Sequence, residues 1–241
     1  MSYYFWINIA AISIPLIVSF DSRLKFHHKW KYLFPAMLAT MLVFVPWDII
    51  KTSMGVWGFN QQHLLGYWFF NLPVEELMFF IAIPFACVFT YHSLGYLIKK
   101  NHLKPFAKSI SIVLITVLTI LALINIDRTY TFVTFITTAA FLLIHLTFIK
   151  ADYLGRFYIS FLFILIPFLL VNGALTGMFT PEPVVWYDDS RNLGIRIFTI
   201  PIEDSVYALL LLLMNTTIYE ALNRKRNSQK AGFNKPSTNS H

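Results

Sequence analysis

Two stretches of this sequence, 128 positions apart, decide its fold: Gly66-Tyr-Trp-Phe-Phe-Asn-Leu-Pro73-Val-Glu75-Glu76 and Gly194-Ile-Arg-Ile-Phe-Thr-Ile-Pro201-Ile-Glu203-Asp204. Glycine, phenylalanine, proline and glutamate coincide in register, and an acidic residue follows the glutamate both times. One turn further on, Phe79 falls on Tyr207. Each unit, Pro-[Val/Ile]-Glu-[Glu/Asp]-x-x-[Phe/Tyr], opens a long apolar segment. Proline suits a first helical turn, and carboxylates there favour the positive end of the helix dipole, so a single motif reads as an ordinary helix start. Two motifs in register, each about one turn inside an apolar span, read differently. A carboxylate in a membrane is expensive and marks a functional position by default. Neighbouring side chains on a helix point ~100° apart, so one acid of each pair faces a shared cavity.

Outward from the motifs, seven segments are long and apolar enough to cross a bilayer: 3–20, 32–50, 75–98, 109–126, 130–149, 157–178 and 202–222. Composition agrees. Of 241 residues, 57% are hydrophobic and only 13% charged, against about 25% charged in a soluble domain. Membrane barrel strands would read as ~10-residue alternating segments, which are not seen. The expected fold is an all-α polytopic membrane protein of seven transmembrane helices, two parallel three-helix repeats joined by a linker helix. The first repeat covers residues 1–98, the linker 99–129 and the second repeat 130–222, followed by a polar tail, 223–241, expected to be disordered. Because the linker crosses the membrane, the halves share one orientation, unlike the inverted repeats of many transporters.

Charge sets the expected topology. Fifteen of the 19 Lys and Arg lie in loops 21–31, 99–108 and 150–156 and in the tail, while the opposite side holds Lys51, Arg128, Arg191 and Arg196. By the positive-inside rule the N-terminus is outside and the C-terminus cytoplasmic, in an integral membrane protein expected in a bacterial plasma membrane. Nine of the 12 acidic residues fall on the outer side, both motifs among them. The formal charge of +7 comes from short basic runs between spans, so no nucleic-acid partner is expected. No Lys or Arg precedes Arg23, so the first segment reads as a span rather than a cleaved signal peptide. The single Cys87 excludes an internal disulfide framework and a multi-Cys metal cluster. The histidines show no ligand spacing beyond the adjacent His27-His28, and no metal is expected. Dinucleotide, Walker and G-x-S-x-G motifs are missing, and no cofactor is expected.

Within the motifs, Glu75 and Phe79 are i,i+4, as are Glu203 and Tyr207, so each carboxyl sits over an aromatic ring. An acid beside π-faces is what generating and shielding a carbocation requires. Asp48 at the end of span 2, and Asn172 and Thr176 at the end of span 6, are candidates to bond the carboxyls, with interfacial capping as the alternative role. Trp47, Trp57, Trp68 and Trp186 lie near the same side and read as an aromatic belt.

Opening the third span of each half, Pro73-Val-Glu75-Glu76 and Pro201-Ile-Glu203-Asp204 resemble the heterodimer-type lycopene cyclases. That family includes paired three-span subunits in some bacteria and fused single chains in archaea and fungi, and this chain looks like a fused form. The resemblance covers residues 1–222, and Trp47-Asp48 and Asn172-Gly173…Thr176-Gly177 also look like family positions. It implies a non-redox lycopene cyclase that takes its carotenoid from the lipid phase and closes ψ-ends to β-ionone rings. Glu75, Glu76, Glu203 and Asp204 would supply acid and base, with Glu203 or Glu75 favoured as donor, and Phe79 and Tyr207 would face the cation. Asp204 in place of a second glutamate keeps the charge and makes the halves inequivalent. Cyclases of C50 carotenoids are the nearest alternative; ring type, ring number and oligomeric state stay open. A proton-coupled transporter or lipid carrier would also hold membrane carboxylates. A retinal photoreceptor would need a lysine inside a span, and 202–222 has none.

The basic asymmetry predicts that a topology reporter fused after residue 222 reads cytoplasmic and one inserted in 179–200 reads external. A cytoplasmic signal from the latter would overturn the orientation.

Overall fold

The computed structural model describes residues 2–233, with side chains to residue 225. Seven α-helices account for most of it: α1 (Tyr3–Val18), α2 (Trp30–Ser53), α3 (Val74–Leu97), α4 (Ala107–Ile124), α5 (Thr129–Ile144), α6 (Leu154–Leu175) and α7 (Ile202–Phe233). Six of them, α2 to α7, are long and apolar enough to cross a membrane. The first expected span is shorter than the sequence suggests. α1 has 16 residues, about 24 Å at ~1.5 Å per residue, short of a ~30 Å hydrocarbon core. It ends where the Ser19 hydroxyl and amide turn back on the Pro15 carbonyl (2.6 and 3.0 Å). α7 differs in the other direction. The tail expected to be disordered from Asn223 continues α7 to Phe233, and the rest of that expectation lies outside the described residues.

Large apolar side chains stand out into the surroundings along these helices, including Ile14 and Leu42, each 71% exposed. Apolar surface on every side of a helix is what lipid solvates and water does not. This is an all-α polytopic membrane protein.

Six short strands fold the motif loops: β1 (Trp57–Phe59), β2 (Trp68–Phe69), β3 (Leu72–Pro73), β4 (Val185–Tyr187), β5 (Arg196–Ile197) and β6 (Ile200–Pro201). Pairs β2–β3 and β5–β6 are hairpins, each ending in the motif proline one residue before its helix. Their tips match in backbone: Phe70 has φ 55° and Phe198 φ 58°, and the glycines ahead, Gly66 and Gly194, have φ 87° and 70°. Glycine takes this left-handed region freely, whereas phenylalanine does so at a cost.

The two halves meet through β1 and β4. Trp57 pairs with Tyr187, Gly58 with Trp186 and Phe59 with Val185, antiparallel. Under the 128-residue shift, Gly58 and Trp186 are equivalent, so each strand pairs with its own counterpart, reversed about that central pair. Such a self-complementary ladder is the signature of a two-fold axis. Flanking bonds obey it: Asn60 N–H donates to Val184 C=O (2.9 Å), and Asp188 N–H to Val56 C=O (3.0 Å). The helices follow. α1 packs on α3 as α5 does on α7, and α2 crosses to α7 as α6 crosses to α3. α4 packs chiefly on α5 and stands outside the symmetry.

At Gly155 the first turn of α6 touches backbone. A Cβ there would lie 2.6 Å from Leu103 C and Lys104 N. Gly155→Val is therefore expected to cost roughly 1–3 kcal/mol, read as a lower unfolding midpoint in detergent; an unchanged midpoint would refute the contact.

Candidate active site

At the motif end of the bundle, five acidic side chains are withdrawn from the surface: Asp48, Glu75, Glu76, Glu203 and Asp204, none more than 8% exposed. Burying so many acids in an apolar bundle requires a partner for each. The partners divide them into two classes.

Glu75 and Glu203 tie the loops down. Glu75 Oε1 accepts from the backbone N–H of Leu65 (2.5 Å) and the Ser2 hydroxyl (2.6 Å). Glu203 Oε1 accepts from Leu193 N–H (2.8 Å) and the Thr131 hydroxyl (2.6 Å). Each glutamate so joins its helix to the loop ten residues before it and to the first helix of its half.

Glu76 and Asp204 turn the other way, about a third of a helical turn round, onto a cavity of about 60 Å³ between the halves. Asp48, Asn172, Phe79 and Tyr207 share this cavity, and Glu75, Glu203 and Thr176 do not line it. Thr176 instead donates to the Asn172 carbonyl (2.9 Å) and meets the Thr199 hydroxyl (2.7 Å).

The cavity walls are inequivalent. On the first-half side, Asp48 and Glu76 both line the cavity, and each carboxyl takes a tyrosine hydroxyl. Tyr4 OH donates to Glu76 Oε2 (2.7 Å) and Tyr207 OH to Asp48 Oδ1 (2.9 Å). On the second-half side, Asn172 replaces Asp48. Asp204 receives donors alone: Tyr130 OH (2.5 Å), Tyr187 OH (2.9 Å) and Asn172 Nδ2 (2.7 Å). Burial, then the Asp204 carboxylate, push the Tyr187 phenol well above its ordinary range, which keeps it a donor.

Aromatic rings complete the walls. Trp57 packs edge-on against Tyr130 (centroids 5.2 Å), and Tyr130 stacks with Tyr187 (6.0 Å). Trp57, 6% exposed, is thus a cavity residue rather than part of an interfacial belt, whereas Trp68 and Trp186, 44% and 45% exposed, keep that position. Phe79 and Phe168 line this cavity and also a second, apolar one of about 280 Å³ between α1, α3 and α6.

Tyr4, Tyr130, Tyr187 and Trp57 also line the cavity, and the Pro-x-Glu motifs do not point to them. A signal existed for two of them. A shift of 126 rather than 128 superimposes α1 on α5 and puts Tyr4 on Tyr130, both donors to the second acid of their motif. Tyr187 has Phe59 as its counterpart and so leaves no repeat signal.

Comparison with protein families gives a match to one described as lycopene cyclase, over residues 1–94 and 127–222. These stretches fall on the two halves and leave α4 between them. Comparison with curated proteins and with solved structures gives no significant match.

Proposed function

The chain belongs to the lycopene cyclase family, and from that premise we propose that it closes the linear ψ-ends of lycopene to β-ionone rings by acid-initiated carbocation cyclisation. The observation that carries this reading is the asymmetric acid cluster: Asp48 and Glu76 line an aromatic cavity with one tyrosine hydroxyl each, and Asp204 lines it with three donors. In this reading the two acids of the first pair, buried in one small cavity, hold a proton between them.

The pair delivers its proton to C2 of the terminal double bond, leaving a tertiary cation at C1. The C5=C6 bond attacks C1, the C1–C6 bond forms, and the charge moves to C5. Loss of the C6 proton forms the new C5=C6 bond. In the closed ring C2 and C6 are both neighbours of C1, so the proton released lies close to the carboxyl pair that gave one up. Returning it there restores the site without a separate reset. The balance needs no oxidant or reductant, and no cofactor is proposed.

Tyr4 and Tyr207 hydrogen-bond to the pair and stabilise the anion left after donation. Asp204, with its charge spread over three donors, balances the cation without capturing it. Phe79 and the ring of Tyr207 shield it by their π-faces. Glu75 and Glu203 are positioning residues that hold the hairpin loops on the helices, and Thr176 steadies Asn172. The basic asymmetry supports an outward-facing cluster and a cytoplasmic C-terminus.

Expression in a lycopene-accumulating cell, with pigments separated by chromatography, tests the reading. Wild-type protein should convert lycopene to cyclic product. At matched membrane accumulation, Glu76→Gln and Asp204→Asn should each lose product by about 100-fold or more, the scale of a positioned acid–base or electrostatic group. Glu75→Gln should stay within about 10-fold, because the amide oxygen still accepts from Leu65 N–H and the Ser2 hydroxyl. Unchanged lycopene with well-inserted wild-type protein, or full product from Glu76→Gln, would sink the assignment.

A further inference from the structure

The apolar cavity between α1, α3 and α6 shares Phe79, Phe168 and Asn172 with the acid cavity. It runs down α6 from Asn172 to Ile164, about 12 Å at ~1.5 Å per residue. Small and ring residues shape it: Ala10, Ala11 and Pro15 on α1, Ala86 on α3 and Pro167 on α6. Its outer rim bears Ile14, 71% exposed on the lipid-facing surface.

Two-fold symmetry demands a counterpart between α5, α7 and α2, and the sequence fills it. Ala10, Ala11 and Ala86 are replaced there by Ile136, Thr137 and Met214, and Pro15 by Phe141. On α2 the register follows from paired bonds: Val56 N–H donates to Lys51 C=O as Val184 N–H does to Leu175 C=O. It makes Asp48 the counterpart of Asn172 and Trp47 that of Val171. The Trp47 indole lies parallel to Phe44 (centroids 6.0 Å, 16°) and edge-on to Tyr207 (6.2 Å), while Phe44 meets Tyr207 at 5.2 Å and is wholly buried. Trp47, Phe44 and Tyr207 form an aromatic cluster where the other half has Val171, Phe168 and Phe79.

We propose that the α1–α3–α6 groove is the single route by which the linear polyene reaches the acids, and that Trp47 closes its mirror image. This rests on the cyclase reading above. The occupant is an unbranched-backbone polyene lying lengthwise, its end at Phe79 and Asn172 and its remainder in the hydrocarbon of the membrane. Continuity with the acid cavity, rather than apolarity alone, selects it over a lipid acyl chain. One groove admits one end, so the two ends of a symmetric substrate are processed in separate visits.

Optical activity induced in bound lycopene, an achiral chromophore when free, reads occupancy without turnover. It is measured in liposomes on the Glu76→Gln protein, so that substrate persists. Ala86→Phe and Ala11→Phe should each cut the induced signal at least ~10-fold, whereas the mirror substitutions Met214→Phe and Thr137→Phe should leave it within about two-fold. Loss with the mirror pair but not the first pair, or full signal from all four, overturns the proposal; so does an absent signal in the parent protein, as expected if acyl chains alone fill the groove. If a bulky variant does not accumulate, Cys87, the sole cysteine and a groove residue, decides in the unaltered chain. Bound lycopene should slow its alkylation by a membrane-permeant maleimide by about 10-fold, and equal rates with and without lycopene refute the groove. Lycopene that binds wild-type protein in the groove but is never cyclised would sink the cyclase reading alone.

Discussion

Five acids buried at one end of an apolar helix bundle impose the constraint on which the rest of this structure depends. In hydrocarbon an unpartnered carboxyl is among the costliest groups a chain can carry, and here each has at least one oxygen bonded to a hydroxyl or amide within the fold. The demand reaches back through the architecture. Ser2 must cap α1 so that its hydroxyl meets Glu75, and Asn8 must donate to the Glu75 carbonyl (2.8 Å). The hairpin loops must fold over the helix starts so that Leu65 and Leu193 present their amides. The β1–β4 ladder must close the top of the cavity so that Tyr187 and Trp57 stand against Tyr130. A short strand pair would contribute little by itself; its placement over the acids gives it consequence.

Duplication supplied this frame, and inequivalence gives it chemistry. Under an unbroken two-fold axis both walls would hold either carboxyl pairs or amide–carboxylate pairs. For the proposed cyclisation, two carboxyl pairs would supply protons without a fixed anion to answer the cation, and two amide–carboxylate pairs would supply anions and no proton donor. Exchanging Asp48 for Asn172 across the axis gives one of each. Glu76 and Asp48 take one tyrosine hydroxyl each, while the shorter Asp204 stays among three donors. The same axis relates Phe79 to Tyr207, a bare π-face on one side and a hydroxyl donor to Asp48 on the other. Trp47 against Val171 extends the asymmetry from the acids to the residues one position away, the difference on which the proposed single route depends.

Much of this was legible in the sequence, and the parts that were not have physical reasons. The spans, their parallel halves and the acid positions follow from apolar length and a repeat whose register is fixed by proline and glutamate. The hundred-degree offset between neighbouring helical residues foretold that one acid of each pair would face the cavity. Which one was not legible, because it depends on where the loop amides of Leu65 and Leu193 fall, ten residues away and folded back. Tyr4 and Tyr130 escaped because the repeat does not keep one shift: 128 in the loops and third helices, 126 in the first, 124 in the second. Differing connections let each helix slide against its copy, so no single offset aligns every partner. Trp57 was misread for a related cause. Tryptophan at a membrane end is ordinarily interfacial, and only the antiparallel ladder draws this one inward, to 6% exposure.

α4 makes the asymmetry attainable. A three-span unit followed directly by its copy would insert the copy upside down, and the axis relating them would lie in the membrane plane. One added crossing restores the copy's orientation, so both motif ends converge on one cavity about an axis normal to the membrane. Packed chiefly on α5 and outside the symmetry, α4 leaves the interface between the halves to the duplicated elements themselves. A dimer of identical three-span chains would repeat every substitution on both sides of that interface. In a fused chain Asp48 and Asn172, or Trp47 and Val171, change independently. On the proposed reading, covalent linkage lets one wall specialise in carrying a proton and the other in holding a charge, with the substrate groove kept on one side alone.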